Sequence, residues 1–313
     1  MSAAPRILIV KPSSLGDVVH ALPTVARIRR RFPDAHIAWV VNESLASLLQ
    51  HSPVINELVP FHRQQLSKFP SLLKQLRAGK FNIVVDLQGL LRSGIMTFAT
   101  RALRRIGLSD AREGSRMFYN EIVTVPRVHA VDRYLKTAEY LGCTDAAVEF
   151  PLGVADAPRE GWIAINPSAR WETKLWGVER YRALAERLPR ERVVFTGSAS
   201  EAVWINRLSE GFTSKAGQTD LLELAEFYSR CSVVITNDSG PMHIAAAVGT
   251  PVVAIFGPTD PMLTGPYGKQ HVVLRAGVHC SPCLKDRCSH QPLMECMEKI
   301  TVEQVVTEIQ RYL

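Results

Sequence analysis

One carboxylate, Asp17, stands at the start of a predicted helix, after the strand-like run "RILIV" (6–10) and a tight loop that carries Lys11 and Ser14. A carboxylate within hydrogen-bond distance of a substrate hydroxyl can act as a general base even with an ordinary pKa. The same side chain could instead cap its own helix, because a first turn leaves backbone N–H groups without partners. The sequence therefore predicts either a catalytic base or a helix cap at this position.

A lysine between two tryptophans follows a later predicted strand, in "NPSARWETKLWGVERY" (166–181). The ammonium of Lys174 could neutralise a diphosphate, and Ser168 and Thr173 could add hydroxyl donors. The competing interpretation is core packing, in which the lysine stem covers apolar surface and its charged head reaches water.

The stretch "NDSGPMHIAAAVGTP" (237–251) joins a strand end to a helix of small side chains. Such a helix lets a ligand approach the backbone closely, and its free N–H groups can receive phosphate oxygens. Proline is tolerated in the first turn, where its missing N–H costs nothing. The candidate phosphate-site residues are Asp238, Ser239, Gly240, Pro241 and His243. His243 could equally be a packed helix residue.

Two further observations concern the same predicted site. Neither a Walker motif nor the G-x-G-x-x-G dinucleotide motif occurs in the sequence. The following stretch "IFGPTDPMLTGPYG" (255–268) is rich in Gly and Pro, which predicts a non-helical loop that closes over the site.

Three arginines lie in loops of the first half. Arg92 follows "DLQGLL", and Arg112 and Arg116 lie in "SDAREGSRMFYNE" (109–121). Guanidinium groups bind phosphate and carboxylate with two parallel hydrogen bonds, so these residues are candidates for substrate binding. Each could also be an ordinary surface arginine.

The elements that must position these residues alternate between β-branched apolar runs and amphipathic stretches, a pattern typical of open parallel sheets. Predicted strands are 6–10, 35–41, 55–61, 81–87 and 104–108, then 161–167, 192–197, 232–238 and 251–257. Predicted helices are 17–31, 43–50, 66–78, 92–103 and 130–141, then 178–188, 200–210, 220–230, 240–248 and 301–312.

The stretch "PLGVADAPRE" (151–160) reads as a linker between two such α/β halves. We therefore predict two doubly wound, Rossmann-like domains, 1–155 and 156–313, with an interdomain cleft. The last helix could pack back on the first domain. Sheets of this kind bind ligands beyond the carboxyl ends of their strands.

Composition is that of a globular protein, with 46% hydrophobic and 21% charged residues in 313. No apolar run reaches the roughly 18 residues of a membrane span. The start "MSAAPRILIVK" has too short an apolar stretch for a secretory signal, so a cytoplasmic location is expected.

The net charge of +7 is concentrated in residues 1–156, which hold 20 Lys and Arg against 13 Asp and Glu; residues 157–313 hold 17 of each. Such asymmetry indicates an anionic partner: a phosphorylated substrate, a membrane surface or nucleic acid. Nucleic acid fits poorly, because the arginines lie in loops without interleaved aromatic residues. A merely solvated basic face is the remaining alternative.

Four cysteines cluster late in the chain, at Cys280, Cys283, Cys288 and Cys296. The C-x₂-C start resembles a metal site, but the later spacings match no zinc module. We expect reduced or partly disulfide-linked thiols here rather than a structural metal.

The motifs above, with "TKLWGVERY" (173–181) and "GPYG" (265–268), resemble glycosyltransferase family 9 in this order, over nearly the whole chain. Within that family the sequence looks most similar to the type I heptosyltransferases. The resemblance implies a GT-B fold that binds the acceptor in the first domain and the nucleotide-sugar in the second. It also implies inverting transfer of L-glycero-D-manno-heptose from ADP-heptose to the Kdo of the lipopolysaccharide inner core, in a Kdo-lipid A acceptor, with no metal or other cofactor.

Carried over by motif, Asp17 would be the catalytic base, Lys174 would hold the diphosphate and Asp238 would bind the heptose. Glu201, in "TGSASEAVW", would bind the adenosine ribose, and the backbone from Gly240 to Met242 would line the phosphates with His243. The acceptor-side residues would be Lys11, Ser14, Arg92, Arg112 and Arg116. A lysine is familiar in the family at the position of Arg92, which keeps the charge but changes its geometry.

Three alternatives stay open. A type II heptosyltransferase or another family member would use a different acceptor. A protein that only binds nucleotide-sugar would need Asp17 to be a helix cap and nothing more. The basic first half also predicts a peripheral contact with the anionic inner membrane, where lipid-linked acceptor is found.

Overall fold

The computed structural model describes residues 4–313. The chain divides into two compact units, Met1–Gly153 and Val154–Leu313, near the predicted boundary between 155 and 156. Each unit contains one parallel six-stranded sheet, and the two sheets share the same strand order. No helix among these residues is both long and apolar enough to cross a membrane.

The sheet of the first unit has the order β3-β2-β1-β4-β5-β6, all parallel. Its strands are β1 (Arg6–Val10), β2 (His36–Asn42), β3 (Glu57–Phe61), β4 (Ile83–Asp86), β5 (Arg104–Leu108) and β6 (Glu121–Val123). The central strands are buried on both faces, which explains their continuous runs of Ile, Leu and Val. The strand order reverses between β1 and β4, and ligands of such sheets bind at that point.

The α-helices described in this unit are α1 (Leu15–Arg31), α2 (Phe69–Ala78), α3 (Leu91–Ala99) and α4 (Ala130–Tyr140). Helix α1 begins at Leu15, earlier than predicted, because Ser14 has the extended backbone of an N-cap residue. The stretch 43–50, predicted as a helix, is a 3₁₀-helix over Glu43–Leu49, and a further 3₁₀ turn spans Ser115–Phe118.

The second unit repeats this topology, with the order β12-β11-β10-β7-β8-β9. Its strands are β7 (Trp162–Asn166), β8 (Val193–Phe195), β9 (Thr213–Ser214), β10 (Cys231–Asn237), β11 (Val252–Phe256) and β12 (Val272–Arg275). Its helices are α5 (Val178–Glu186), α6 (Ala202–Leu208), α7 (Leu221–Ser229), α8 (Gly240–Ala247), α9 (Pro261–Thr264), α10 (Glu295–Glu298) and α11 (Val302–Ile309). The order reverses between β7 and β10.

Sequence patterns missed three strands, β6, β9 and β12. All three lie at sheet edges, where a short and partly exposed strand carries little hydrophobic periodicity. The prediction that 255–268 contains no helix is wrong, since α9 forms one turn there. Asp260 caps that turn by accepting from the N–H of Met262 at 3.0 Å, and Pro261 occupies the first position.

The C-terminal helix α11 packs against α5 and places Val305, Val306 and Ile309 in the core of the second unit. Its apolar face is therefore used within its own unit. The contact with the first domain that we predicted for this helix stays a prediction.

Candidate active site

Asp17 receives hydrogen bonds from two different parts of the first unit. Its carboxylate accepts from the backbone N–H of Ser14 at 3.0 Å and from the Ser14 hydroxyl at 2.8 Å, and these bonds close the start of α1. The Tyr134 hydroxyl of α4 donates to its other oxygen at 3.1 Å, and the Lys11 ammonium lies 3.7 Å from that same oxygen. The helix-cap role is thus present, but Asp17 is not bonded to its own helix alone.

The charges around Asp17 decide its ionisation. Burial by itself favours the neutral acid, but the Lys11 ammonium and the hydrogen bonds from Ser14 outweigh it and hold the pKa of Asp17 well below its usual range. The side chain of Lys11 is only 3% exposed, whereas that of Asp17 is 38% exposed. Asp17 is therefore an ionised carboxylate at neutral pH. It pairs with the buried Lys11 ammonium, and part of its carboxylate is exposed to solvent.

Burial also opposes ionisation of Lys11, but the nearby Tyr134 and Asp17 reverse this effect and raise the pKa of the ammonium. The ammonium lies 5.1 Å from the centre of the Tyr134 ring. Tyr134, which the sequence analysis missed, is thus the third member of the group. It lies far along the chain from Asp17, so no local motif could have indicated it.

Hydrogen bonds link the loops that leave β1, β4 and β5 at the carboxyl edge. Gln88 accepts from the N–H of Ser13 at 3.2 Å, and the N–H of Arg112 donates to the Gly89 carbonyl at 2.8 Å. The backbone of Arg112 is thereby fixed beside the loop after β4.

Asp86, the last residue of β4, holds the loop after this strand through hydrogen bonds. Its fully buried carboxylate accepts from the N–H groups of Gln88 (2.8 Å) and Gly89 (3.0 Å) and from the Tyr119 hydroxyl (2.7 Å). Burial raises its pKa, an effect that these bonds only partly offset. Asp86 therefore positions the loop after β4, a structural role that the sequence analysis did not predict although this residue opens the quoted "DLQGLL" stretch.

The three predicted acceptor arginines differ in their placement. Arg92 lies in the first turn of α3, exposed, with its guanidinium 5.6 Å from the centre of the Phe61 ring. Arg112 is exposed at the carboxyl edge. Arg116 lies in the 3₁₀ turn that packs along α3, beyond the linked loops. None of the three forms an ion pair within residues 4–313, so their charges are available to a ligand.

In the second unit, Lys174 and Asp238 form an ion pair at the corresponding edge. The ammonium lies 2.6 Å from the Asp238 carboxylate and 4.8 Å from the centre of the Trp171 ring. The Thr259 hydroxyl donates to the same carboxylate oxygen at 2.5 Å. Both charged side chains are largely buried, which strengthens the attraction between them. Trp176, by contrast, is fully buried in the core, as the packing interpretation predicts for one of the two tryptophans.

Asn237, the last residue of β10, positions this ion pair. Its side-chain carbonyl accepts from the N–H of Trp176 at 3.3 Å and from the Tyr181 hydroxyl at 3.0 Å. Its amide donates to the carbonyl of Pro167 at 2.8 Å. One buried amide therefore fixes the loop after β7, which carries Lys174, beside the strand end that carries Asp238. The sequence analysis quoted this asparagine but gave it no role.

Several other predicted donor-site residues already have partners within the chain. The Ser168 hydroxyl donates to Asn166 at 3.0 Å, and the Thr173 hydroxyl donates to the Lys285 carbonyl at 2.8 Å. Glu201 accepts from the N–H and the hydroxyl of Ser198 at 2.8 and 2.7 Å. A ligand that uses these groups must therefore share or replace the existing bonds.

The start of α8 has the features that anion binding requires. Ser239 is extended and precedes Gly240, the first helical residue, so the N–H groups of the first turn point out of the helix. Pro241 follows, and the next two residues, Met242 and His243, are buried. Asp238 lies directly before this helix start.

The four clustered cysteines are free thiols that line a cavity of about 220 Å³ with His290 and Glu295. In the part of the chain that the structure describes, no three His, Cys, Asp or Glu side chains are placed to hold a metal ion. The expectation of reduced or partly disulfide-linked thiols stays a prediction.

Comparison with known proteins places this chain in a family. The sequence profile of glycosyltransferase family 9 (heptosyltransferase) matches residues 69–294, more than half of the chain. The chain belongs to glycosyltransferase family 9. The resemblance predicted from the motifs is thereby confirmed, and with it the assignment as a glycosyltransferase.

Individual members of the family are similar over most or nearly all of their length. Lipopolysaccharide heptosyltransferase 1 of Pseudomonas aeruginosa is 29% identical, with 98% of each chain covered. Lipopolysaccharide heptosyltransferase 3 of Escherichia coli K12 is 25% identical, over 84% of this chain and 85% of that one. The solved E. coli heptosyltransferase WaaC with ADP is 25% identical and superposes with a TM-score of 0.81, covering 98% of this chain and 100% of that one. The predicted GT-B fold is confirmed by such neighbours.

Removal of the Lys11 charge tests the electrostatics of Asp17. In Lys11→Met we expect the pKa of Asp17 to rise by about one unit or more, because burial then acts without its compensating cation. The measurement is a carbon-13 NMR titration of the Asp17 carboxyl carbon. Lys68→Met, which removes an exposed charge of the same unit, should leave that pKa unchanged. An equal response to both substitutions would contradict the assigned pairing.

Proposed function

We propose that this family 9 member transfers L-glycero-D-manno-heptose from ADP-heptose to the Kdo of a lipid A acceptor, with inversion at the anomeric carbon. The observation that carries the proposal is the ionised carboxylate of Asp17, which keeps an open side while Lys11, Ser14 and Tyr134 hold the other. A residue that served only as a helix cap would not need a buried cation and a tyrosine from another helix.

In this proposal the acceptor binds at the carboxyl edge of the first unit. Asp17 accepts the proton of an acceptor hydroxyl while that oxygen forms a bond to the anomeric carbon. The bond from that carbon to the phosphate oxygen breaks, and ADP leaves with the electron pair. The hydroxyl becomes strongly acidic as its oxygen bonds to carbon, so a carboxylate of low pKa can still accept the proton. A single displacement of this kind inverts the configuration.

The donor would bind in the second unit, at Lys174 and the start of α8. Negative charge grows on the departing diphosphate, and both the ammonium and the helix N-terminus can stabilise it. Ser168, Thr173 and Glu201 would contact the nucleotide, and His243 and the backbone from Gly240 to Met242 would line the phosphates. The Lys174 ammonium and the N-terminus of α8 supply positive charge from the chain itself, so the proposal includes no metal or other cofactor.

The ion pair of Lys174 with Asp238 suggests that donor binding involves an exchange of partners at Lys174, in which a diphosphate replaces the carboxylate. In this proposal a diphosphate that binds Lys174 displaces the Asp238 carboxylate, which then accepts hydrogen bonds from heptose hydroxyls. ADP alone would also have to separate Lys174 from Asp238, but it has no heptose hydroxyls that could form new hydrogen bonds with the released carboxylate. The site should therefore prefer ADP-heptose over ADP, which favours product release.

The proposal also specifies which type of acceptor the protein uses. Relatives of both type 1 and type 3 match this chain, and they bear different names for related steps of lipopolysaccharide synthesis. We propose type 1 because the Pseudomonas relative is similar over 98% of each chain, and because "FYNE" (118–121) with the arginine-rich acceptor loops resembles type 1 members of the family. Arg92, Arg112 and Arg116 would lie on the acceptor side. A peripheral association with the anionic inner leaflet, in the cytoplasm, completes the proposal.

Loss of the base should separate catalysis from binding. In Asp17→Asn we expect turnover to fall by about two to four orders of magnitude, since general-base catalysis is lost. ADP affinity should stay within about twofold, because the donor groups lie in the other unit. Turnover is measured by ADP release and affinity by calorimetry. Asp34→Asn, which alters an exposed carboxylate of the same unit, is the control. Full activity of the Asp17→Asn variant would refute the assignment.

The exchange step predicts an unusual effect at Asp238. In Asp238→Asn the ammonium of Lys174 loses its competitor, so ADP should bind more tightly, by about 3- to 30-fold, while ADP-heptose gains less. Calorimetry with both ligands measures the difference. The gain should vanish in the Lys174→Met background, and Asp286→Asn, which alters an exposed acid of the same unit, should have no effect. Weaker ADP binding in Asp238→Asn would contradict the exchange.

A panel of acceptors tests the proposed reaction itself. The protein is incubated with ADP-heptose and with Kdo-lipid A that is either unmodified or already carries one heptose. We expect heptose only on the unmodified acceptor, detected by mass spectrometry. Product on the heptosylated acceptor alone would assign a type II or related enzyme, and no product on either would leave the nucleotide-sugar binder as the function.

A further inference from the structure

Exposed apolar side chains are concentrated in one short stretch of the first unit. Of fourteen large hydrophobic side chains that are exposed among residues 4–313, five fall within residues 91–122. They are Leu91, Phe98, Leu103, Met117 and Ile122. Phe98 is 56% exposed, Met117 76% and Leu103 81%. A tenth of the chain therefore holds about a third of its exposed apolar side chains.

Packing brings most of this stretch together on one surface. The 3₁₀ turn Ser115–Phe118 lies so close to α3 that a Cβ on Gly94 would be 2.6 Å from the Phe118 ring. The Phe98 and Phe118 ring centres are 5.9 Å apart. Asn120 donates to the carbonyl of Leu103 at 2.7 Å, which ties the segment after α3 to the same region. We call the surface formed by Phe98, Leu103, Met117 and their flanking arginines the α3 surface.

The charges of the α3 surface are almost all positive. Arg101 and Arg116 are exposed, and Arg105 lies over the Phe98 ring at 5.8 Å and donates to the Phe118 carbonyl at 3.0 Å. Of the three acidic residues in 91–123, two are neutralised by arginines, Asp110 by Arg133 and Glu121 by Arg104. The surface thus offers apolar side chains among guanidinium groups that carry uncompensated charge.

We propose that the α3 surface docks on an anionic phospholipid bilayer. Apolar side chains flanked by arginines suit the interface between head groups and acyl chains, where the arginines meet lipid phosphates. Charge complementarity selects this occupant, because the excess positive charge of the protein lies in the half that carries this surface. The inference rests on the proposed function, since a lipid-linked acceptor is found at such a bilayer.

The position of α3 connects docking with the acceptor site. The helix begins beside the carboxyl edge, where Leu91 donates its N–H to Glu113 at 3.2 Å, and it runs to Phe98 on the α3 surface. Nine helical residues span about 13 Å. A sugar that is anchored in the bilayer through its lipid would therefore have a short path to the edge that holds Asp17.

Vesicle flotation tests the docking surface without donor or acceptor. The full chain is mixed with vesicles of phosphatidylcholine alone or with about 30% phosphatidylglycerol. We expect binding to the anionic vesicles that weakens with salt, and little binding to the neutral ones. Leu103→Asp and Met117→Asp should each reduce partitioning about tenfold, and Arg101→Gln about fivefold. Leu66→Asp in the first unit and Val203→Asp in the second, both at exposed positions outside the surface, are the controls.

The outcomes separate this inference from the proposed reaction. Leu103→Asp and Met117→Asp should keep full turnover on a water-soluble Kdo acceptor, because that reaction needs no bilayer. Loss of this activity would indicate damage to the enzyme and not loss of docking. Failure of the unmodified chain to float with anionic vesicles would overturn the inference, even if heptose transfer is found. Equal losses in the two control variants, or concentration-dependent dimers that disappear in Met117→Asp, would overturn it as well.

Discussion

A buried polar side chain at the end of one central strand holds the functional loops of each unit. Asp86 ends β4 and binds the N–H groups of the loop that follows, together with Tyr119. Asn237 ends β10 and binds the loop after the neighbouring strand on both its carbonyl and its amide. The two strands are equivalent in the shared topology, each beside the point where strand order reverses. Since a buried polar group without partners is costly, each of these side chains enforces one arrangement of its loops.

This constraint allows charges to be kept close together at the strand ends. Lys11 and Lys174 are both shielded from water, and each is stabilised by one carboxylate and one aromatic ring. Their partners differ in exposure, however. Asp17 keeps an open side toward solvent, as a base requires, whereas Asp238 is covered and held by Thr259. The proposed roles follow this difference: proton transfer at Asp17 in the first unit and ligand exchange at Asp238 in the second.

Part of the excess positive charge of the first half lies on the α3 surface and at the carboxyl edge of the first unit. Arg92 and Arg112 lie toward that edge, and Arg101 and Arg105 lie at the far end of α3. A phosphorylated lipid-linked acceptor would meet positive charge along this path. The second unit (154–313) holds 17 Lys and Arg against 18 Asp and Glu, and its candidate anion-binding groups are Lys174, which is paired with Asp238, and the start of α8.

The sequence by itself determined the two α/β units and most strand and helix positions, because hydrophobic periodicity is a local signal. Its motifs, through the resemblance to the family, predicted Asp17, Lys174 and Asp238 as site residues. It left open whether Asp17 was a cap or a base, since both need the same residue at the same place. Only the tertiary structure decided that Lys11 and Tyr134 surround it, and that Asp238 pairs with Lys174. Those contacts join residues that are separated along the chain, and the burial that shifts a pKa exists only after the strands have packed.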